Sequence, residues 1–273
     1  MAGTQVAVVQ LNSGADTGAN LREAGRWLRQ AAEAGARLAV LPENFSFMGR
    51  RDGERRGVAE PDGRGPVQDF LAATAAKLEL WIVGGTVPLL TDDPAGRIAP
   101  ACVVYDAEGR RVARYDKIHL FDVVLPGGQE SYRESAHFAP GREPVVIDTP
   151  AGRLGLSICY DIRFPELYRR LVEAGAELFA VPAAFTVPTG RLHWETLMRA
   201  RAIENLCYVL ASAQCGTHPS GRETFGDSMI VDDWGTVLAR RPQEPGVVLA
   251  AVDLAAQAER RRHFPALDHR VPI

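Results

Sequence analysis

Glu33-Ala34-Gly35-Ala36-Arg37-Leu38-Ala39-Val40-Leu41-Pro42-Glu43-Asn44-Phe45 returns in the second half of the chain as Glu173-Ala174-Gly175-Ala176-Glu177-Leu178-Phe179-Ala180-Val181-Pro182-Ala183-Ala184-Phe185, with seven of thirteen positions identical. Each copy reads as a helix end, a glycine stop and a buried strand closed by proline. Ahead of the first copy, residues 4–11 run apolar like a core strand. Leu21, Ala24, Trp27, Leu28 and Ala31 then recur at helical spacing, behind a candidate capping box of Asn20 and Glu23. Strand, helix, strand is a βαβ unit. Ahead of the second copy, Gly155-Leu156-Ser157-Ile158 reads as a buried strand that stops at Cys159, followed by an abrupt turn and a helix through Arg170. The pattern predicts an α/β protein of two halves related by a pseudo-two-fold. Gln10 and Cys159 are expected at matching strand ends.

Between the copies, residues 46–65, with Arg50, Arg51, Arg55 and Arg56, read as a long solvated loop. A helix from about Pro66 to Lys77 and an apolar run over Leu80–Val87 follow. Ala101–Tyr105 and Arg111–Tyr115 flank a Glu108-Gly109 turn, which places antiparallel strands in the sheet. Residues 117–143 form the longest irregular region and are expected to line a site. Beyond the second copy come a helix from Arg191 to about Asn205 and strands near Leu206–Ala213, Ser228–Val231, Val237–Arg240 and Val247–Val252. The basic run Arg260–Pro265 reads either as a polar tail or as an arm on a second subunit.

A chain of 273 residues can bury a large core, and one domain spanning 1–273 is the expected count. A net charge of −3 gives no reason to expect a nucleic-acid partner. No apolar run approaches the ~18 residues of a membrane span, and a cytoplasmic location is expected. Four cysteines without a C-x-x-C pair fit neither a disulfide framework nor a structural zinc site, and no two histidines have metal-ligand spacing. No metal and no cofactor is therefore expected.

Glu43, Lys117 and Cys159 all stand just past the ends of predicted strands, where layered α/β folds bind ligands. Cys159 is either a small buried hydrophobe or a nucleophile. Moving a proton from thiol to carboxylate spans ~4 pKa units, roughly 6 kcal/mol in water. Desolvation of Glu43 and an ammonium beside Cys159 would close that gap. A Cys–His pairing with His119 or His193 is the rival arrangement. Cys102, Cys207 and Cys215 read as packing residues.

Three motifs in order resemble the nitrilase, or carbon–nitrogen hydrolase, superfamily: Leu41-Pro42-Glu43-Asn44-Phe45, Tyr115-Asp116-Lys117-Ile118-His119-Leu120-Phe121-Asp122, and Ser157-Ile158-Cys159-Tyr160-Asp161-Ile162-Arg163-Phe164-Pro165-Glu166-Leu167. The resemblance implies a four-layer αββα sandwich, a Glu43–Lys117–Cys159 triad acting through a thioester, and a homodimer or higher homo-oligomer. A second glutamate beside the triad is implied too, with Glu134 the better match and Glu130 the alternative. Tyr160-Asp161 after the cysteine, in place of Trp-Glu, implies an amide rather than a nitrile substrate. Likeness to the Nit branch implies a small anionic ω-amide of a keto acid, deaminated glutathione above α-ketoglutaramate or an N-carbamoyl compound. A non-catalytic metabolite-binding protein on the same fold is the remaining reading. An anionic substrate calls for an arginine, with Arg163 first and Arg50 or Arg51 as alternatives. Tyr160, Phe45 and His193 complete the expected substrate-binding set.

Overall fold

Val6, Val8, Leu38 and Val40 pack into one apolar cluster, whereas their neighbours Ala7, Val9, Ala39 and Leu41 pack into another, and all eight are fully buried. Side chains alternate across a strand, so this division means a sheet covered on both faces. The computed structural model describes residues 3–125 and 130–271; part of the irregular 117–143 region, residues 126–129, lies outside the described residues.

The first half runs β1 (Thr4–Gln10), α1 (Thr17–Glu33), β2 (Leu38–Val40), α2 (Pro66–Leu78), β3 (Trp81–Val83), β4 (Val87–Leu89), β5 (Ala99–Tyr105), β6 (Arg111–Asp116) and a small hairpin, β7 (Asp122–Val124) and β8 (Ser131–Arg133). The second runs β9 (Val146–Thr149), β10 (Gly152–Leu156), α3 (Pro165–Glu173), β11 (Leu178–Ala183), α4 (Val187–Asn205) and β12 (Tyr208–Ala213). It continues through the hairpin β13 (Cys215–Thr217) and β14 (Glu223–Phe225) to β15 (Ser228–Val231), β16 (Val237–Arg241), β17 (Gly246–Val252) and α5 (Leu254–His263).

One sheet has the order β17-β1-β2-β3-β5-β4 with β6 also on β5; the other is β16-β15-β12-β11-β10-β9. In each, three parallel strands carry an antiparallel strand on either side: β17 and β5 around β1-β2-β3, β9 and β15 around β10-β11-β12. This is the pseudo-two-fold. Its register differs by one residue from the expectation. Leu38 pairs with Val6 and Leu178 with Leu154, so superposing the copies sets Gln10 on Ile158 and Leu11 on Cys159.

The inner faces of the two sheets share one core, which on the far side of the second sheet reaches Leu167 and Leu171 of α3 and Trp194 and Met198 of α4. The second core lies between the first sheet and α1 and α2. Helix, sheet, sheet, helix is the αββα sandwich.

Several local readings change. α1 begins at Thr17 behind Asp16, whose carboxylate accepts from Ala19 N, and not at Asn20 with Glu23. Asn20 lies inside the helix, where its buried amide ties Gly14 to Ser46. The 46–65 segment is not fully solvated: Phe47, Met48 and Arg55 are buried and Asp52–Val58 forms a 3-10 helix. The Leu80–Val87 run splits into β3 and β4 because Gly84-Gly85 turns the chain. α4 starts at Val187, since Pro188 is compatible with a first helical turn. The basic run is not a loose polar tail but the end of α5. There Arg260 Nε meets Asp233 Oδ2 at 2.6 Å and Arg261 Nε donates to Leu206 O at 3.0 Å, satisfying the end of α4.

Gly85 is the residue that seats the loop carrying Glu43. Its φ is +51, and a Cβ there would lie 2.1 Å from Pro42 O. Gly85→Ala is expected to destabilise the protein by about 2–3 kcal/mol, a fall in Tm of roughly 4–10 °C. Thermal unfolding followed by circular dichroism checks it, and an unchanged Tm would contradict the close packing.

Candidate active site

Glu43 follows β2, Lys117 follows β6, Glu134 follows β8 and Cys159 follows β10, so the two sheets and the small hairpin each deliver a group to one pocket. Lys117 is fully buried. Its Nζ lies 2.9 Å from Glu43 Oε1 and 3.1 and 2.8 Å from the two oxygens of Glu134. Glu134 Oε2 also accepts from Phe121 N at 2.8 Å. Glu130, the alternative, instead accepts from the Tyr132 hydroxyl in the groove outside.

Cys159 stands at φ +48, a left-handed conformation that costs a non-glycine residue about 1–2 kcal/mol. The turn is held by Asp161, which is fully buried. Its carboxylate accepts from Ile158 N at 2.9 Å, Tyr115 OH at 2.7 Å and His119 N at 3.0 Å, and lies 2.7 Å from His119 Nδ1. An ionised carboxylate only accepts, so Nδ1 carries the proton of that contact. The His119 ring then stacks on Phe164 at 3.7 Å. This places His119 in support of the turn, and the rival Cys–His pairing has no geometry here: neither histidine lines the pocket that holds Cys159, His119 is bonded to Asp161, and His193 is bonded to Arg163.

The titration of the site runs opposite to the expected closing of the gap. Burial raises the Glu43 carboxyl, but the Lys117 charge and hydrogen bond, the Cys159 hydrogen bond and the Arg222 charge outweigh it and hold Glu43 below its ordinary 4.5. Burial likewise opposes the Lys117 charge, yet Glu134 and Glu43 lift its pKa above the ordinary lysine range. Burial and then the Glu43 charge push the Cys159 thiol well above 9.0, against Lys117 and a backbone hydrogen bond with Ala184. For the thiol, charge count adds to burial. One ammonium already faces two carboxylates, so a thiolate would be a third anion beside it. The resting site therefore holds a thiol and a carboxylate. The other cysteines are buried too, and burial pushes Cys207 up to about 12 and Cys215 up to about 11.

The mouth of the pocket is aromatic. Phe121 contacts Tyr132 and Tyr160 with ring centroids 5.1 and 5.0 Å apart, and Tyr160 meets Phe164 edge-on. Arg163 lines the pocket and lies 5.4 Å from the Phe185 ring. No carboxylate pairs with it among the described residues; its Nη1 is 3.2 Å from His193 Nδ1. His193 itself is exposed on α4 and touches the pocket only through Arg163.

Phe45 is a correction. It is fully buried in the outer core between the first sheet and its helices, since the chain after Asn44 turns back toward that layer. Arg50 and Arg51 stand in the groove outside the pocket.

Arg222 and Arg55 line the pocket and had no motif to mark them. Arg222 Nη2 donates to Ala184 O at 2.7 Å and its guanidinium lies over the Tyr132 ring at 4.8 Å. Asp161 could have been found as a lone acid between the apolar Ile158 and Ile162. Among the described residues no three His, Cys, Asp or Glu side chains group as a metal site would require, and no helix is long and apolar enough to cross a membrane.

The fold and the pocket define a hydrolase of the sandwich class, and the chain belongs to the carbon–nitrogen hydrolase family, which it matches over residues 5–262. It is 39% identical over 269 residues to deaminated glutathione amidase of Yersinia enterocolitica, covering 98% of this chain and 93% of that protein. It is 44% identical over 270 residues to deaminated glutathione amidase of Homo sapiens, covering 98% of this chain and 82% of that one. Among solved structures, Saccharomyces cerevisiae Nit3, a member of branch 10 of the nitrilase superfamily, superposes with a TM-score of 0.86 at 31% identity, covering 97% of this chain and 95% of that one.

Two outcomes test the site. Alkylation of Cys159 by iodoacetamide, read by peptide mass spectrometry, is expected to stay slow at neutral pH and to rise only above the ordinary thiol pKa of about 8.5. An inflection below pH 8 would mean a resting thiolate. Asp161→Asn turns an amide N–H₂ toward two of the four donors and is expected to cost about 2–4 kcal/mol in urea unfolding.

Proposed function

We propose that this protein is an amidase that cleaves deaminated glutathione through a Cys159 thioester. The observation that carries the chemistry is the Lys117 ammonium held between Glu43 and Glu134 beside the thiol. Full-length likeness to amidases of that name supports the substrate.

In this reading the Cys159 sulfur bonds to the amide carbonyl carbon while its proton passes to Glu43, which is already ionised to receive it. A separate thiolate never has to form, which removes the cost of a third anion. The carbonyl oxygen becomes an oxyanion. Lys117 has three N–H groups: one serves Glu43, Glu134 closes both oxygens around another, and the third is left for the oxyanion together with Tyr160 N–H. Glu43 returns the proton to the departing nitrogen as the C–N bond breaks, leaving the acyl group on sulfur. Glu43 then takes a proton from water as the water oxygen attacks the thioester, and the sulfur leaves with that proton. Glu134 is the positioning residue that keeps Lys117 charged and aimed. Arg163 and Arg222 supply the cationic wall for the carboxylate of the keto-acid part, with Tyr160 lining the slot.

Cys159→Ala is expected to abolish release of product amine from deaminated glutathione, and intact-protein mass spectrometry of the wild type during turnover should show an acyl adduct on Cys159. Retained activity in the variant would refute the assignment. Glu134→Gln keeps the shape but loses the charge and is expected to lower kcat by roughly 10²-fold with a smaller change in KM. The acid limb of kcat/KM is expected below the ordinary carboxylate range. The sign follows from Glu43: its lowered pKa keeps the base ionised down to pH values below 4.5, and activity is lost as pH falls through the folded value. Parallel kinetics on α-ketoglutaramate and an N-carbamoyl amino acid separate the related substrate readings.

A further inference from the structure

The slot that holds Cys159 is narrow, about 30 Å³, and beside it lies a groove of about 740 Å³ bounded by the segment after β2, the edge of β8, the first turns of α4 and the turn before β14. Arg55, Tyr132 and Arg222 line both spaces, so the groove adjoins the slot at these three side chains. To Arg55 and Arg222 it adds Arg50, Arg51 and Arg191, and its only acids among the described residues are Glu130 and Glu223. Arg51 is paired with Glu54 at 3.6 Å. The guanidinium groups of Arg50 and Arg191 are exposed and in no ion pair among the described residues. Two exposed arginines on one wall, Arg50 and Arg191, gain nothing for folding from their charges and are repelled by the other guanidinium groups of the groove, so this pair asks for an anion from outside.

We infer that the groove is a subsite for a carboxylate on the amine side of the scissile amide, received by Arg50 and Arg191. The inference rests on the amidase reading above. A narrow slot suits the unbranched keto-acid chain, and the wide groove suits a bulkier amine that departs toward solvent. Deaminated glutathione is such a molecule: a keto acid joined through its amide to a cysteinyl-glycine that ends in a carboxylate. The two anionic ends of one substrate would then meet two separate basic regions, with the reacting carbonyl between them. A substrate whose amine is only ammonia would leave the groove empty.

The test compares two substrates in one protein. In the double variant Arg50→Ala/Arg191→Ala, the ratio of kcat/KM for deaminated glutathione to that for α-ketoglutaramate is expected to fall roughly tenfold, mainly through KM, since two partly exposed charge contacts together are worth about that factor. Raising the salt from 50 to 500 mM should narrow the same ratio in the wild type and not in the variant. Deaminated glutathione with its terminal carboxylate converted to a carboxamide should show the raised KM in the wild type, with no further rise in the variant. An unchanged ratio, or a carboxamide handled like the acid, overturns the inference while the amidase reading stands. Failure of the wild type to cleave deaminated glutathione at all, with activity on another amide, instead overturns the reading beneath it. A melting curve on the double variant confirms that it is folded before either conclusion is drawn.

Discussion

A lysine ammonium with no exposure to solvent, set between two carboxylates, is the constraint around which this molecule is arranged. Burying a single charge costs several kcal/mol, and leaving one partner of a buried pair uncompensated costs about 3–5 kcal/mol. Glu43, Lys117 and Glu134 therefore have to arrive together. They come from the ends of β2, β6 and β8, and the thiol from the end of β10, so the relative placement of two sheets and a hairpin is tied to one cluster of charges. The same cluster bears on the state of the Cys159 thiol. With two carboxylates answering one ammonium, the surroundings of Cys159 are already negatively charged, and burial and that charge together keep the proton on sulfur.

The turn at Cys159 is the second device, and it depends on the first sheet as much as on the second. A left-handed cysteine would relax to an extended or helical conformation if the chain were free. Asp161 prevents this by gathering the amide of Ile158 before the turn, the hydroxyl of Tyr115 from β6 and both His119 donors beyond it. The segment that carries Lys117 thus also braces the strand end that carries Cys159. Moving either would displace the other.

Much of the architecture was legible because burial leaves a period in the residues. Alternation along β1 and β2, helical spacing in α1 and the Glu108-Gly109 turn each have a local cause, and the repeated stretch at 33–45 and 173–185 carried the pseudo-two-fold. Register was less legible. Letters align copies by identity, whereas the strands align by hydrogen bonds, and these set Leu11 rather than Gln10 opposite Cys159. The cap of α1 was misplaced because Asp16 and Asn20 are both good capping residues, and only the path of the Gly14–Ser46 region shows that Asn20 is occupied elsewhere. Phe45 was expected in the pocket from the family resemblance, yet side chains near one another on an irregular segment need not share a face, and it is buried in the outer core.

By itself, the amino-acid sequence determined the α/β class, the two related halves and the residue types standing at strand ends, because those follow from local propensity and from the periodicity that water imposes on a chain. Tertiary structure alone decided which charges meet. That Glu134 and not Glu130 reaches Lys117, that Arg222 joins Arg163 at the slot, and that the thiol is raised rather than lowered all depend on groups far apart in the chain. Coulomb energy depends on distance and dielectric, and neither is written in the order of the residues.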